Sequence, residues 1–296
     1  MTLLGRDLPA LEAEGRAIHV AADLRWGEGP AYMAHRDQWI FSDIPNDRVL
    51  AFSEMSGVSV FRQPANFSNG HHVTRSGMLL SCEHLTRCVS STGLEGERVV
   101  LCARYDGRRL NSPNDIVEAR DGSIWFTDPT YGILSDVEGR RAVSEQERNR
   151  VYRYDPILTT ISAEIEELSM PNGLCFSPEG QWLYVADSGA EMGSDIGFDP
   201  SRPRDVYQFA IGSDGLVSGR SRHFCRIATG VPDGMRCDED GNLWVATGAG
   251  VEAYSPDGAY LGCIATPDTA SNVAFGGYGD DRVMITTESS AWLIML

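Results

Sequence analysis

Six short segments of the sequence begin with a residue that carries a side-chain oxygen. In each segment an apolar residue follows the first residue by eleven positions, and no copy needs a gap. A hard divalent cation such as Ca²⁺ prefers carboxylate and amide oxygens, with water in its remaining positions. Two of the six side chains are carboxylates, whose charges would balance one such ion. The six leading residues are Glu28, Asn69, Asn114, Asn172, Asp233 and Asn272.

Turn formation is the competing explanation for each of these residues alone, because Asn-Gly and Asp-Gly pairs are common in turns. The shared phase of all six copies favours a ring of oxygen donors instead. In each copy, turn residues such as Arg-Asp-Gly separate two apolar runs, which predicts a β-hairpin. Further strand-like runs follow each hairpin. Four strands per unit, repeated every ~40–60 residues, is the pattern of propeller blades.

We therefore predict an all-β fold, a six-bladed β-propeller with four antiparallel strands per blade. One domain would span residues 1–296, with blades starting near residues 28, 69, 114, 172, 233 and 272. The last unit contains only three strand-like runs. An N-terminal strand at about residues 16–22 would supply the fourth and close the ring. Because inner strands begin around the central channel, the six leading residues should surround the propeller axis.

Composition excludes several classes of function. The chain carries 25 basic and 42 acidic residues, a net charge of −17, so nucleic acid and anionic membrane surfaces are poor partners. No apolar run approaches the ~20 residues of a membrane span. Acidic residues interrupt the start of the chain, unlike a signal peptide. Seven cysteines without CxxC spacing predict neither a disulfide framework nor a zinc–thiolate site. We expect a soluble, cytoplasmic protein, and nothing indicates its oligomeric state.

Four motifs occur in order along the chain and resemble those of the SMP-30/gluconolactonase/luciferin-regenerating-enzyme-like family. They are EGPAY from Glu28, SPND from Ser112, MPNGL from Met170 and VPDGM from Val231, and SNVAFGG and FTDPTYG agree with them. The resemblance runs from about residue 20 to the end of the chain. It implies a six-bladed propeller with one catalytic divalent metal. It also implies an enzyme that hydrolyses sugar lactones or, in some relatives, phosphoesters.

The resemblance also implies roles for individual residues. The family's metal ligands fall on Glu28, Asn172 and Asp233, while Asn114 matches a position that contacts metal or substrate. Asp115 resembles a carboxylate that supports the ligands. Ser112 stands where animal members carry arginine, which favours the bacterial sugar-lactonase branch. Calcium is the expected ion, but zinc, magnesium, manganese and ferrous iron serve relatives with the same oxygen set.

The expected chemistry is opening of a sugar-acid lactone. The metal would polarise the carbonyl, and Asp233 would act as general base toward water. A carboxylate beside a cation is a weak base, so attack by a metal-bound hydroxide is the alternative. Strand ends and two insertions at residues 132–150 and 189–204 should face the metal. The expected substrate contacts are Asn69, His84, Asn114, Tyr131 and Asn272.

Two other functions remain open from the sequence. A phosphotriesterase-like or aryl-ester hydrolase could use the same metal, and a non-catalytic propeller could act as a binding scaffold. The scaffold has no need of two axial carboxylates. Polar groups at strand ends favour a sugar lactone, since a hydrophobic ester would need an apolar mouth. These groups are Glu83, His84, Asp128 and Tyr131.

Overall fold

The computed structural model describes residues 17–193, 197–277, 279 and 281–296. Its principal strands form six four-stranded antiparallel sheets, and in five of them four consecutive strands pair in sequence order. The inner strands of the six sheets contact one another in cyclic order, so the sheets are arranged around a common axis. This arrangement confirms the predicted six-bladed propeller.

The first three blades follow strand β1 (Ala17–Ala21). Blade 1 contains β2 (Gly27–Met33), β3 (Gln38–Asp43), β4 (Arg48–Ser53) and β5 (Gly57–Arg62). Blade 2 contains β6 (Ser68–Val73), β7 (Leu79–Glu83), β8 (Cys88–Thr92) and β9 (Arg98–Cys102). After a small hairpin of β10 (Arg104–Tyr105) and β11 (Arg108–Arg109), blade 3 contains β12 (Ile116–Glu118), β13 (Ile124–Asp128), β14 (Arg150–Asp155) and β15 (Thr160–Ile165).

The remaining three blades complete the ring. Blade 4 contains β16 (Pro171–Phe176), β17 (Trp182–Asp187), β18 (Asp205–Ile211) and β19 (Val217–Arg226). Blade 5 contains β20 (Met235–Cys237), β21 (Leu243–Thr247), β22 (Gly250–Tyr254) and β23 (Tyr260–Ala265). Blade 6 contains β24 (Ala270–Gly276), β25 (Arg282–Thr287) and β26 (Ala291–Met295). The short helices are α1 (Tyr131–Leu134) and two 3₁₀ turns, Ala34–Arg36 and Ile44–Asn46. None of the helices in the described ranges is long and apolar enough to cross a membrane.

The N-terminal strand β1 closes the ring as its sequence predicts. It pairs antiparallel with β26, placing Ala17 opposite Ile294, and so becomes the outer strand of blade 6. The His19 ring stacks on Trp292 with centroids 4.3 Å apart. Residue 16, the first of the predicted strand, lies outside the described residues. Closure joins the two ends of the described chain in one sheet and covers the open edge of β26.

Apolar side chains pack at every junction between neighbouring blades, forming six hydrophobic clusters. Both faces of each inner hairpin are therefore buried, which explains its continuous apolar runs. In β3, Trp39 packs toward blade 6 and Ile40 toward blade 2, as alternation along a strand requires. The residues eleven positions after each ring residue are all buried. They are Trp39, Leu80, Trp125, Leu183, Trp244 and Val283.

Glycines after the ring residues let adjacent inner strands approach closely. A Cβ atom on Gly70 would lie 2.6 Å from the Asn114 carbonyl oxygen, and one on Gly173 would lie 2.1 Å from that of Asp233. Both glycines lie in inner strands rather than in turns. Four of the six ring residues thus precede glycine because the next blade's ring residue occupies the space of a side chain.

Replacing Gly173 with Ala should destabilise the propeller more than an alanine at an open glycine. The added methyl group must displace backbone, so we expect the free energy of unfolding to fall by about 2–3 kcal/mol. Gly107→Ala is the control, because Gly107 faces open space and has only its φ of 75° to oppose a side chain. That variant should lose about 1 kcal/mol. Equal losses in urea unfolding would contradict the close-approach explanation.

Candidate functional site

Five of the six predicted ring residues line one cavity of about 480 Å³, and the sixth lies directly behind it. The sixth, Asn272, is buried; its Nδ2 donates to Glu28 Oε2 at 2.9 Å, while its own Oδ1 accepts from the Val273 amide at 2.8 Å. Asn272 therefore holds Glu28 rather than facing the cavity. The five that line it are Glu28, Asn69, Asn114, Asn172 and Asp233.

Two carboxylates of this cavity are buried without a cationic partner. Glu28 is 4% exposed and Asp233 is 9% exposed, and no Arg or His in the described ranges forms an ion pair with either. Burial, followed by the charge of Asp233, raises the pKa of Glu28 well above its usual value. Burial and the charge of Asp115 do the same to the pKa of Asp233, and Asn172 partly offsets this through a side-chain hydrogen bond.

The donor set of the cavity fits a hard divalent cation. Buried charges in proteins are usually paired or coordinate a metal, and these two carboxylates lack any other partner in the described chain. Asn69 is 3% exposed, and its Oδ1 is a buried oxygen without a hydrogen-bond partner among the described residues. Such an atom commonly accepts from water or binds an ion. Within those ranges no three His, Cys, Asp or Glu side chains cluster, so amides would complete the site.

An ion pair below the ring supports the site from the axis. Asp115 is buried; its Oδ1 accepts from the Ile116 amide at 2.9 Å, and its Oδ2 lies 3.5 Å from Arg236 Nη1. The Arg236 guanidinium also donates to carbonyls of three blades, those of Met235, Leu174 and His71. Sequence reasoning missed Arg236, because only its reach across the axis distinguishes it from other arginines.

Replacing Arg236 with Met should destabilise the fold by about 3 kcal/mol, because it leaves Asp115 buried and unpaired. The matched control is Arg75→Met, which removes an ion pair with Glu118 from a side chain that is 59% exposed. That change should cost about 1 kcal/mol or less. Adding Asp115→Asn should restore much of the stability lost in Arg236→Met. Equal urea midpoints for the two single variants would rule out the axial ion pair as a special support.

Carboxylates at strand ends bind neighbouring backbone amides or side chains rather than face the cavity. In three blades such an Asp accepts from the amide three residues before the ring residue. In blade 2, Glu83 accepts from the Asn66 side chain and pairs with Arg98 at 2.6 Å. Glu83 and Asp128 are fully buried, so the expectation that they line the mouth is wrong. The three pairs are Asp43 with Arg25 (3.0 Å), Asp128 with Asn111 (2.8 Å) and Asp187 with Ser169 (2.9 Å).

Histidine 84 is buried behind the cavity wall. Its Nε2 lies 3.3 Å from Asn69 Nδ2, and its Nδ1 lies 2.8 Å from the Glu138 carbonyl oxygen. Burial lowers the pKa of His84 to about 4, so the ring is neutral near pH 7. These contacts place His84 beside the ring residue Asn69, not against the space that a substrate would occupy.

The two insertions form part of the cavity wall, as their position after strand ends predicts. Glu138 comes from the first insertion and Glu191 from the second, and both line the cavity. Tyr131, which directly precedes the first insertion, also lines it, and its hydroxyl lies 3.3 Å from the carbonyl oxygen of Glu191 in the second insertion. Burial and the charge of Glu191 raise the pKa of Glu138 to about 7. The sequence did not predict that these two glutamates line the cavity, because nothing in their local sequence distinguishes them from surface glutamates.

The chain matches a known protein family, which agrees with the six blades and the axial ring of oxygen-bearing residues. The SMP-30/Gluconolactonase/LRE-like region, as that family is described, matches residues 26–289. This chain belongs to that family. The resemblance of the four motifs is thereby confirmed, and the five oxygen-bearing cavity residues all lie inside the matched region.

Several named relatives resemble this chain over most of its length. A gluconolactonase from Zymomonas mobilis is 31% identical, covering 88% of this chain and 76% of the relative. A pentonolactonase from Haloferax volcanii is 27% identical, covering 90% of this chain and 83% of the relative. The solved structure of a gluconolactonase from Xanthomonas campestris superposes with a TM-score of 0.86 and 36% identity, covering 95% and 89% of the two chains.

Proposed function

We propose that this chain is a divalent-cation-dependent lactonase that opens the ring of a sugar-acid lactone. The observation that carries the proposal is the pair of buried carboxylates, Glu28 and Asp233, which share one cavity with three amides and lack a cationic partner in the described chain. The relatives named as gluconolactonases and a pentonolactonase support the lactone as the substrate class.

The residues that would hold the cation are Glu28, Asn172 and Asp233, with Asn114 shared between cation and substrate. Their donors are all oxygens, which favours Ca²⁺ and also suits Mg²⁺ or Mn²⁺, while Zn²⁺ and Fe²⁺ remain alternatives. A bound divalent cation would act as a Lewis acid toward the lactone carbonyl. Asn272 and the Gly29 amide, which donates to Glu28 Oε2 at 2.8 Å, would keep that carboxylate in place.

Asp233 is the proposed general base. Its carboxylate would take a proton from water as the water oxygen bonds to the carbonyl carbon. The carbonyl–ring oxygen bond then breaks, and the proton passes to the departing ring oxygen, which leaves a hydroxy acid. The Asn172 side chain, which hydrogen-bonds Asp233, would hold the carboxyl in the orientation that this transfer needs.

The wall of the cavity has both polar and apolar parts. Arg25, Glu138 and Glu191 can hydrogen-bond sugar hydroxyls. Apolar residues also reach the cavity, and these make an aryl ester the second candidate substrate. They are Trp26, Leu134, Val137 and Phe198.

Rates on a substrate panel would separate these candidates. We expect kcat/KM on gluconolactone, xylonolactone or arabinonolactone to exceed that on p-nitrophenyl acetate and on a diethyl aryl phosphotriester by at least about a hundredfold. Proton release with a pH indicator measures all of them on one scale. A higher kcat/KM on either aryl substrate would overturn the sugar lactone assignment. No hydrolysis of any of them would favour the non-catalytic scaffold.

A further inference from the structure

The geometry points to His84 as a positioning residue that orients the Asn69 amide and anchors residues 132–140 beside the cavity. The expected effect on Ca²⁺ affinity rests on the proposed function, whereas the expected effect on protease cleavage near residues 132–140 does not. His84 is buried between the ring residue Asn69 and the first insertion, and its two ring nitrogens face one group on each side.

A backbone carbonyl fixes the tautomer of His84. The Glu138 carbonyl oxygen can only accept a hydrogen bond, and it lies 2.8 Å from Nδ1. The proton of the neutral ring must therefore be on Nδ1, which leaves a lone pair on Nε2. The contact with the Glu138 carbonyl thus makes the opposite edge of the imidazole a hydrogen-bond acceptor toward Asn69.

The lone pair on Nε2 in turn fixes the Asn69 amide. Only the Nδ2 group of Asn69 can donate to it, at 3.3 Å, so Oδ1 must point away from His84. That oxygen is buried and has no partner in the part of the chain that the structure describes. Asn69 lines the cavity, so its free oxygen becomes a further donor to the cation, beside those of Glu28, Asn172 and Asp233.

Two glycines allow the insertion to wrap around the His84 ring. A Cβ atom on Gly132 would lie 2.4 Å from His84 Cγ, and one on Gly139 would lie 3.2 Å from His84 Cβ. The Arg140 amide donates to the Gly132 carbonyl oxygen at 3.1 Å, which closes the wrap. Glu138 lies within this segment and lines the cavity. The His84 imidazole therefore positions both a residue of the cavity wall, Glu138, and an axial residue, Asn69.

Two substitutions separate the two contacts of His84. The amide of Asn reaches the place of Nδ1, whereas the amide of Gln reaches the place of Nε2. His84→Asn should keep the bond to the Glu138 carbonyl and release Asn69. We expect its Kd for Ca²⁺ in calorimetry to rise about tenfold, with unchanged trypsin cleavage at the exposed Arg140 and Arg141. His84→Gln should show the opposite: near-normal Ca²⁺ binding, at least fivefold faster cleavage there and a higher KM.

Controls distinguish positioning from general stability. His71→Gln alters another buried histidine, bonded to Ser42 and Ser81, and should lower the melting temperature without changing Ca²⁺ affinity or cleavage at residues 140–141. Asn69→Ala should weaken Ca²⁺ binding as much as His84→Asn does, and the double variant should be no weaker.

The inference is overturned if both His84 variants match the wild type in Ca²⁺ affinity, cleavage and KM, or if His71→Gln changes all three to the same extent as the His84 variants do. A wild-type chain that takes up no Ca²⁺ would contradict the cation of the proposed function. Cleavage at residues 140–141, measured without cation or lactone, would then still decide whether His84 anchors the insertion.

Discussion

Asp233→Asn should lower kcat for lactone opening by about a thousandfold while the chain keeps its fold. The substitution removes the group proposed to accept the proton of the attacking water, and general base catalysis contributes factors of about 10²–10⁴. The amide keeps one oxygen at the same place in the cavity. Since Asp233 is buried beside other acids, losing its charge should not destabilise the unloaded protein. Stopped-flow proton release on gluconolactone, with cation content measured on the same sample, provides the test.

The matched control is Asp240→Asn in the same blade, where the carboxylate is exposed in a hairpin turn and should not affect turnover. Full activity of Asp233→Asn with its cation retained would rule out Asp233 as the base. Activity lost together with the cation would instead assign Asp233 chiefly to binding the ion, and restoration at high Ca²⁺ would support that assignment.

Glu28→Gln should weaken Ca²⁺ binding by at least about a hundredfold, because it removes one of the two charges that offset the ion. The same change should leave the unloaded protein as stable as the wild type or more so. An unpaired carboxylate is costly to bury, and Gln can still accept from Gly29 and Asn272. The melting temperature should therefore rise with Ca²⁺ in the wild type and change little with Ca²⁺ in the variant.

Glu179→Gln is the control for this pair of measurements, since Glu179 is exposed in a hairpin turn of blade 4. Its Ca²⁺ affinity and melting temperature should match those of the wild type. If Glu28→Gln bound Ca²⁺ as tightly as Glu179→Gln, the ring carboxylates would not be the cation site.

The repeated register predicted the propeller and the ring because both depend on local pattern. Trp39, Trp125 and Trp244 recur at one place in the second strand of their blades, and burial at blade junctions selects apolar residues there. The first residue of each inner strand must lie near the axis in any propeller. Five such residues reach one cavity, as the spacing alone indicates.

Side-chain direction at the rim could not be predicted from the same pattern. Glu83 and Asp128 are the last residues of β7 and β13 and lie at the correct face, yet the side chain of each turns away from the cavity to bind groups in the segment that leads to its own ring residue. His84 lies behind the wall because the first insertion folds over it. Contacts between segments far apart in sequence decide these directions, and a single sequence gives no sign of them.

The most direct test of this account is lactone opening before and after removal of divalent cations. Proton release on gluconolactone should fall to the uncatalysed rate after treatment with EDTA and desalting, and should return on adding Ca²⁺ or another divalent cation. Glu28→Gln should not recover at the cation concentration that restores the wild type. Undiminished lactone opening by protein shown by elemental analysis to be free of divalent metals would contradict the account.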